Sequence, residues 1–256
     1  MVSEVDGVRS LHLGSIWIQG SMRIARPDLV ELDYTQRMLA GLLWLPPDEV
    51  ADGHAVQLGL GAGSLTRFCL KQLRMRCTAV ELNPAVIQLC RQQFHLPQEH
   101  ARLQVVNTDA AQWVAQAAQR HGVNLLHVDL YDDEAAAPVL DSVAFYRDCR
   151  AVLADGGVMS VNLFGRELGF GQSLARIVGA FGVDRVCGLR PTREGNTVVL
   201  AWRGGAMPDR PTLIERAASI ERRFGTLGVP ARKWLRMLRP ATARQTVQRN
   251  EGMETT

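Results

Sequence analysis

The sequence predicts an α/β protein with a doubly wound, mainly parallel sheet of seven strands whose last strand is antiparallel. Three observations predict this architecture. From residue 54 onward, short apolar strand patterns alternate with helical patterns, which is typical of parallel sheets. The first of these strands runs into a turn with glycines at 59, 61 and 63, just before a helix begins. The last two strands are joined by a connection too short for a helix, so they form an antiparallel hairpin.

Five strand–helix units precede the final hairpin. Their strands are short and apolar, and the fourth is apolar on both faces, as expected for a central parallel strand. In chain order the strands read "HAVQLGL", "RCTAVEL", "ARLQVVNTD", "VNLLHVDLY" and "GGVMSVNLF". The helices that follow them show helical spacing of apolar residues and read "SLTRFCLKQL", "PAVIQLCRQQF", "AAQWVAQAAQR", "SVAFYRDCRAVL" and "GQSLARIVGAFG". The hairpin consists of "DRVCGLR" and "NTVVLAWRG" joined by "PTREG".

A smaller unit precedes this sheet. Residues 8–24 alternate between apolar and polar with glycines at the turns, which predicts a short antiparallel hairpin. Residues 27–45 switch to helical spacing, which ends at Pro46-Pro47. We therefore divide the chain into three parts: a hairpin-plus-helix unit (1–48), the central α/β domain (49–205) and a helical extension (206–256).

The extension is expected to pack on the central domain. The segment "TLIERAASIERRFG" has the pattern of an amphipathic helix, with Thr212 as its N-cap. A cluster of Trp234, Leu235 and Leu238 follows and should dock on the body of the protein. Residues 241–256 are polar and are expected to fray.

Composition argues against several classes of protein. The 256 residues carry a formal net charge of +3, and all but two of the 29 basic residues are arginine. Acids are interspersed almost everywhere, so we interpret the arginine bias as genome composition and expect no nucleic-acid partner. No apolar run approaches the roughly 18 residues that span a bilayer, and the N-terminus lacks a signal pattern. We therefore expect a cytoplasmic protein without a membrane partner.

The cysteines and histidines do not predict a metal site. The five cysteines are odd in number and never form a CxxC pair, and Cys69, Cys77, Cys90 and Cys149 fall within apolar patterns. They are therefore expected to be buried thiols in a reducing compartment. The six histidines are scattered without an i, i+4 pair around a glutamate, so we expect no bound metal.

The glycine turn and the acid after the next strand form a candidate nucleoside site. Gly59, Gly61 and Gly63 let the backbone approach a ligand closely, although such turns are also glycine-rich for steric reasons alone. About twenty residues later, Glu81 ends the next strand. A carboxylate at this position can accept hydrogen bonds from two ribose hydroxyls.

Two further strands end in aspartates. Asp109 can accept a hydrogen bond from an adenine amino group, with Ala110 leaving room for the ring, or it can serve only as a helix N-cap. Asp129 ends a strand that must be central, where an acid needs either a partner or a function. Three more acids follow it within five residues, for which a solvated loop is the alternative: Asp132, Asp133 and Glu134.

Together these features resemble the spermidine synthase branch of the S-adenosylmethionine-dependent methyltransferase fold, which is Rossmann-like. That branch joins a small N-terminal β unit to a methyltransferase-like domain, and the resemblance covers roughly residues 12–203. Its motifs are matched by Asp129-Leu130-Tyr131-Asp132 after the fourth strand, by Leu140 to Phe145-Tyr146 at the next helix, and by Gly195-Asn196-Thr197-Val198 in the hairpin.

The resemblance implies an aminopropyltransferase of polyamine biosynthesis. In that family, decarboxylated S-adenosylmethionine donates an aminopropyl group to putrescine and leaves methylthioadenosine. Asp129 would then orient and deprotonate the amine, helped by Asp132 and Tyr34, while Gln19 would contact the nucleoside together with the glycine turn, Glu81, Asp109 and Ala110. The implied partner is a small-molecule amine acceptor, and homodimerisation through the N-terminal hairpin is a further implication.

The chain departs from the family pattern at two places. The family's glycine turn carries an aspartate where this chain has Ala62, so a contact to the donor's aminopropyl nitrogen is missing. The family's Tyr-x-Glu becomes Tyr34-Thr35-Gln36, with Arg37 following, which removes an acid and adds a cation near the amine groove. Each lost charge-assisted bond is worth about 1.5–3 kcal/mol.

Three functions therefore stay open at this point. The first is aminopropyl transfer with Asp129 as base, in which the acids after the fourth strand compensate for those lost. The second is methyl transfer from intact S-adenosylmethionine, which Ala62 favours because no acid repels the donor's carboxylate. The third is a non-catalytic nucleoside- or partner-binding protein, with the arginine-rich C-terminal helices as its interface.

Overall fold

The computed structural model describes residues 1–12, 18–131, 140–164 and 167–241. Its strands are β1 (Val2–Val5), β2 (Val8–Leu11), β3 (Gly20–Arg23), β4 (His54–Leu58), β5 (Arg76–Glu81), β6 (Leu103–Asn107), β7 (Val123–Val128), β8 (Leu153–Phe164), β9 (Val186–Gly188), β10 (Asn196–Trp202) and β11 (Arg239–Pro240). Its α-helices are α1 (Asp33–Met38), α2 (Ser64–Lys71), α3 (Pro84–Gln93), α4 (Ala110–Ala115), α5 (Val143–Val152), α6 (Glu167–Phe181), α7 (Arg210–Phe224) and α8 (Ala231–Leu235).

The main sheet confirms the predicted doubly wound architecture. Its strand order is β11-β9-β10-β8-β7-β4-β5-β6. The central strands β6, β5, β4, β7 and β8 pair in parallel, whereas β10 is antiparallel to both β8 and β9. The two-residue strand β11 adds an eighth member from the C-terminal extension, which the sequence did not predict because two residues show no periodicity. The carboxyl ends of the parallel strands therefore meet at one edge, where such sheets bind ligands.

The N-terminal unit is a three-stranded antiparallel sheet in the order β1-β2-β3. The predicted hairpin corresponds to β2 and β3, which pair from Val8↔Arg23 to Leu11↔Gly20. Strand β1 adds to its outer side through a turn at Asp6 and Gly7, both with positive φ. The sequence prediction missed β1 because four residues are too few to establish an alternating pattern.

The helix predicted over residues 27–45 is only partly correct. The structure has the short helix α1 and a 3-10 helix over Leu39–Leu43, while residues 27–32 are not helical. The Val30 amide instead donates to the Leu227 carbonyl of the C-terminal extension at 2.9 Å. A contact made 197 residues away along the chain has therefore overridden local helical spacing.

Two hydrophobic cores cover the faces of the main sheet. Alternate residues along a strand belong to opposite cores: Leu125 packs with α2, α7 and α8, and Leu126 packs with α4, α5 and α6. A third, smaller cluster lies between the N-terminal sheet and the glycine turn. It includes Leu11, Met22, Leu60 and Ala62, so the N-terminal sheet is fixed directly over the edge where the strands end.

The C-terminal extension docks on the body as predicted. Trp234 is fully buried, and Leu235 and Leu238 pack against the same core. The predicted N-cap of α7 is wrong by three residues: Asp209 is the cap, and its carboxylate accepts from the Thr212 amide at 2.9 Å. The Arg216 guanidinium donates to the Leu43 and Trp44 carbonyls, so this arginine holds the extension against the 3-10 helix.

All five cysteines are buried and free, which confirms that they are buried thiols. Burial raises the pKa of Cys77, Cys90 and Cys187 to about 12, so these thiols stay protonated at neutral pH. Within the parts of the chain that the structure describes, no helix is long and apolar enough to cross a membrane. Nor do the described residues include a group of three or more histidines, cysteines or acids placed to hold a metal ion.

Candidate active site

The glycine turn passes closely between the end of β7 and the N-terminal sheet. All three glycines have positive φ. A Cβ on Gly59 would lie 2.1 Å from the Asp129 carbonyl oxygen, and a Cβ on Gly61 would lie 2.7 Å from the Gln19 carbonyl oxygen. Only glycine fits at these two positions, since both the conformation and the space exclude a side chain. The turn is therefore in contact with two of the predicted site segments.

Buried polar side chains stabilise the turn through hydrogen bonds to backbone carbonyls in and near it. The Arg67 guanidinium donates to the Ala62 carbonyl at 2.6 Å and to the Phe94 carbonyl at 2.7 Å. The Gln57 amide donates to the Leu60 carbonyl at 3.1 Å. Burial lowers the pKa of Arg67 to about 10. Sequence reasoning missed Arg67 as a support of the turn, because no local pattern marks an arginine that is buried by tertiary contacts.

Ala62 is packed under the N-terminal sheet. It is only 3 % exposed. A Cβ placed on Gly20 of β3 would lie 2.5 Å from the Ala62 nitrogen and 2.7 Å from its Cβ, so the two backbones are in direct contact. The space beyond the alanine methyl group is therefore occupied by strand β3.

Glu81, at the end of β5, lies beside the turn, and Asp109 follows β6. Both carboxylate oxygens of Glu81 accept backbone hydrogen bonds at 2.9 Å, one from Leu60 in the turn and one from Asn83. Asp109 caps α4 by accepting from the Gln112 amide, and Ala110 is buried behind it. Asp109 therefore serves as a helix N-cap. The contacts of Glu81, Asp109 and Ala110 to a nucleoside stay a prediction.

Asp129 lies directly after β7, with Tyr34 and Asn162 around its carboxylate. The Asn162 side-chain amide donates to the carboxylate at 2.9 Å. Burial raises the pKa of Asp129 to about 6, while the hydrogen bonds from Asn162 and the Tyr34 hydroxyl lower it. Burial and the nearby Asp129 charge raise the pKa of Tyr34 well above its usual value, so its hydroxyl stays protonated and can donate.

A chain of amides extends from Asp129 across two strands. The Asn196 amide donates to the Asn162 side-chain oxygen at 3.1 Å, and Asn162 in turn donates to Asp129. The Tyr131 hydroxyl donates to the Asn162 carbonyl at 2.8 Å. Sequence reasoning did not select Asn162, although an asparagine within the otherwise apolar end of β8 was a signal that could have identified it.

The amide chain and Asp129 form one wall of a cavity of about 910 Å³. The N-terminal sheet forms the opposite wall, and Gln19 and Tyr34 also line it. Four acids belong to the lining: Glu31, Asp33, Asp129 and Glu194. No lysine or arginine lines it among the residues that the structure describes. The predicted site residue Asp132 lies outside the described residues.

The fold is Rossmann-like and of the methyltransferase type, and comparison with relatives defines the class of the protein as a transferase. Residues 53–163 match the family model of the spermine/spermidine synthase domain. The chain is 31 % identical over 226 residues to a polyamine aminopropyltransferase of Neisseria meningitidis, which covers 88 % of this chain and 84 % of the relative. It is 33 % identical, over the same shares, to the polyamine aminopropyltransferase of Chromobacterium violaceum.

The chain therefore belongs to the polyamine aminopropyltransferase family. A solved structure of a probable spermidine synthase from Corynebacterium glutamicum has the same fold, with a TM-score of 0.66 over 90 % of this chain and 88 % of that one. The identity to that structure is 18 %. The two relatives confirm the family resemblance, and the solved structure confirms the fold class that the sequence predicted.

Proposed function

We propose that this protein transfers an aminopropyl group from decarboxylated S-adenosylmethionine to an amine, with Asp129 as the base. The single observation that carries the proposal is the position of Asp129 in a cavity lined by four acids and, within the described chain, by no lysine or arginine. An amine acceptor is cationic in solution, and such a wall attracts it. Family membership supports the same reaction.

Asp129 has the properties that the reaction needs. A protonated amine is not a nucleophile, so its proton must pass to a base held beside the reacting carbon. A carboxylate with a pKa of about 6 is a better proton acceptor at neutral pH than one with its ordinary value near 3.8. Tyr34 and Asn162 donate to this carboxylate and orient it, and Asp132 is proposed to assist the amine.

The proposed reaction is a nucleophilic substitution at the aminopropyl carbon that is bonded to sulfur. The amine nitrogen forms a bond to the aminopropyl carbon while the bond from that carbon to the sulfonium sulfur breaks. The electron pair of the broken bond stays on sulfur, which leaves neutral methylthioadenosine. The proton of the attacking amine passes to the Asp129 carboxylate.

The nucleoside is proposed to bind at the glycine turn, beside which Glu81 accepts a hydrogen bond from the Leu60 amide. Glu81 would accept from the ribose hydroxyls, Asp109 would accept from the adenine amino group, and Ala110 would leave room for the ring. Gln19, in the cavity wall beside the turn, would contact the nucleoside next to the reacting carbon. Family membership supports a donor related to S-adenosylmethionine, and we propose that the donor is its decarboxylated form.

The test is a product assay with the full chain. Incubation with decarboxylated S-adenosylmethionine and 1,4-diaminobutane should yield methylthioadenosine and an aminopropylated amine, both measured by mass spectrometry. The same mixture with intact S-adenosylmethionine is the control. A methylated amine from the intact donor, without aminopropyl product from the decarboxylated one, would establish the methyltransferase that Ala62 favours. Binding of both donors without any transfer would establish a non-catalytic nucleoside-binding protein.

Asn162→Leu should change the pH dependence of the reaction. The substitution removes a hydrogen bond that lowers the pKa of Asp129. We expect the acid limb of kcat/KM near pH 6 in the parent protein, from the pKa of Asp129, and expect it to move upward by roughly half a unit to one unit in the variant. The measurement is a pH–rate profile for both proteins.

Asn196→Leu is the matched control for this substitution. Asn196 contacts Asn162 but makes no contact with Asp129 that would set its pKa directly. The acid limb should therefore move less than in Asn162→Leu. Equal profiles for the parent protein and Asn162→Leu, at equal melting temperature, would show that Asn162 does not position the base.

A further inference from the structure

The geometry points to Gln36 as a positioning residue for Tyr34, acting together with the turn at Gly228 of the C-terminal extension. This inference rests on the proposed function, in which Tyr34 orients the base. The extension lies outside residues 53–163, which match the family model, and takes part in the active site through this contact. The contact also explains why this chain has a glutamine where the family has a glutamate.

One part of the cavity wall follows a segment without regular structure. Glu31, Asp33 and Tyr34 line the cavity, and the Tyr34 hydroxyl donates to Asp129. Residues 24–32, which lead into this wall, form turns and irregular structure. Among the described residues, no side chain caps the N-terminus of α1. The path of the chain into Tyr34 therefore depends on contacts with other segments.

The backbone of the C-terminal extension provides such contacts at the turn that ends in Gly228. The Val30 amide donates to the Leu227 carbonyl at 2.9 Å. The Arg26 guanidinium donates to the Thr226 carbonyl at 2.6 Å. Gly228 has positive φ, and a Cβ placed on it would lie 2.7 Å from the Val30 carbonyl oxygen. The two backbones are therefore in direct contact.

The extension is a firm support for this contact. Val229 and Ala231 follow the turn, and both are fully buried together with Trp234. Val30 belongs to the same hydrophobic core as these three residues. Because a close-packed core resists displacement, the turn is a fixed reference point for Val30.

Gln36 joins this contact to the helix that carries Tyr34. Its side-chain amide donates to the Val30 carbonyl at 2.8 Å, which is the oxygen that Gly228 approaches. Its backbone amide donates to the Leu32 carbonyl at 3.0 Å, at the start of α1. The described residues that line the cavity do not include Gln36. Its side chain therefore serves the contact with the extension and not the amine.

The Val30 carbonyl needs a donor at position 36. A glutamine side chain donates through its amide, whereas an ionised glutamate only accepts. A glutamate at this position would therefore place its carboxylate oxygens against the Val30 carbonyl oxygen. Restoring the acid of the family pattern should thus break the contact and should not add a ligand for the amine.

Arg37, which the sequence placed as a cation near the amine groove, also has partners within the protein. Its guanidinium is buried and donates to the Asp33 carboxylate at 2.6 and 3.0 Å and to the Arg190 carbonyl. It is not one of the described residues that line the cavity. Both departures from the family pattern in this segment therefore concern contacts of α1 with other parts of the chain.

The test measures aminopropyl transfer to 1,4-diaminobutane by Gln36→Glu and by the parent protein. We expect kcat/KM to fall about tenfold at neutral pH, because the lost hydrogen bond displaces Tyr34. Since the hydrogen bond from Tyr34 lowers the pKa of Asp129, the acid limb of the pH–rate profile should also move upward. The affinity for methylthioadenosine, measured by calorimetry, should change less than about twofold, because the glycine turn does not depend on this contact.

Gly228→Ala tests the same contact from the side of the extension, and Gly182→Ala is its matched control. Gly182 also has positive φ, but a Cβ placed on it would meet no atom of the described residues within 4 Å. Both variants carry the strain of alanine in this conformation, whereas only Gly228→Ala displaces the Val30 carbonyl. Gly228→Ala should move the acid limb in the same direction as Gln36→Glu, and Gly182→Ala should leave it unchanged.

Two results would overturn the assignment of Gln36. A lower KM for the amine in Gln36→Glu would show that position 36 faces the amine. Unchanged kcat/KM and an unchanged pH–rate profile in Gln36→Glu would show that the contact does not position Tyr34. If Gln36→Glu does not fold, equal profiles for Gly228→Ala and Gly182→Ala would overturn the assignment. Absence of aminopropyl transfer by the parent protein to any amine would instead overturn the proposed function.

Discussion

Asp129→Asn is expected to lower kcat/KM for aminopropyl transfer by about 10²–10⁴-fold, because the side chain can then no longer accept the proton of the attacking amine. Its amide oxygen can still accept the hydrogen bond from Asn162, so the local geometry should survive. Binding of methylthioadenosine should change little. The measurement is a steady-state assay combined with calorimetric titration of methylthioadenosine.

The same substitution should stabilise the protein at neutral pH. The folded-state pKa of Asp129, about 6, lies above its ordinary value of 3.8, so the folded state binds more protons than the unfolded state between these values. The contribution of Asp129 to the free energy of unfolding therefore falls as pH rises from about 4 to about 6. Asparagine does not ionise, so it avoids the free-energy cost of a buried charged carboxylate. For a partly exposed group this cost is about 1–2 kcal/mol.

Asp129→Asn should consequently melt at a higher temperature than the parent protein at about pH 7.5 and at an equal temperature near pH 4. Asp209→Asn is the control, because the pKa of Asp209 is lowered by its bonds to Thr212, so this variant should not gain stability over that range. Full activity of Asp129→Asn would show that another group takes the proton. If Asp129→Asn were less stable than the parent protein at neutral pH, burial would not destabilise the ionised Asp129 carboxylate.

Ala62→Asp is expected to destabilise the protein by about 2–4 kcal/mol. Ala62 is 3 % exposed, lies in a cluster with Leu11, Met22 and Leu60, and is in contact with Gly20. A carboxylate at this position must either displace strand β3 or lose its hydration. The measurement is the free energy of unfolding in urea, at neutral pH, for the variant and the parent protein.

Ala62→Asn separates the two causes, since asparagine has nearly the same size as aspartate without the charge. A loss in both variants would indicate the contact with Gly20, and a larger loss in Ala62→Asp would measure the buried charge. Stability equal to that of the parent protein, together with tighter binding of decarboxylated S-adenosylmethionine, would show that position 62 faces the donor. The alanine would then be a lost ligand contact, as the sequence alone suggested, and not a packing residue.

Ala62 in the glycine turn and the acids that line the cavity are subject to different physical constraints. Near the glycine turn, Ala62 is determined by the close approach of the N-terminal sheet. Asp129, whose carbonyl oxygen closely approaches Gly59 of the turn, instead carries a charge that packing does not require. We therefore expect amine binding to depend on the acids that line the cavity and not on position 62.

The sequence by itself determined the fold, its family and the residues at the ends of the parallel strands. Strand–helix alternation, the glycine turn and the acids Glu81, Asp109 and Asp129 are local patterns, and a parallel sheet brings its carboxyl ends to one edge whatever the details of packing. The three domain boundaries and the nucleoside contacts stay predictions. Tertiary structure decided the rest: the contact of Ala62 with Gly20, the buried Arg67, and the orientation of Asp129 by Asn162. Each depends on side chains far apart along the chain, whose distances no local pattern contains.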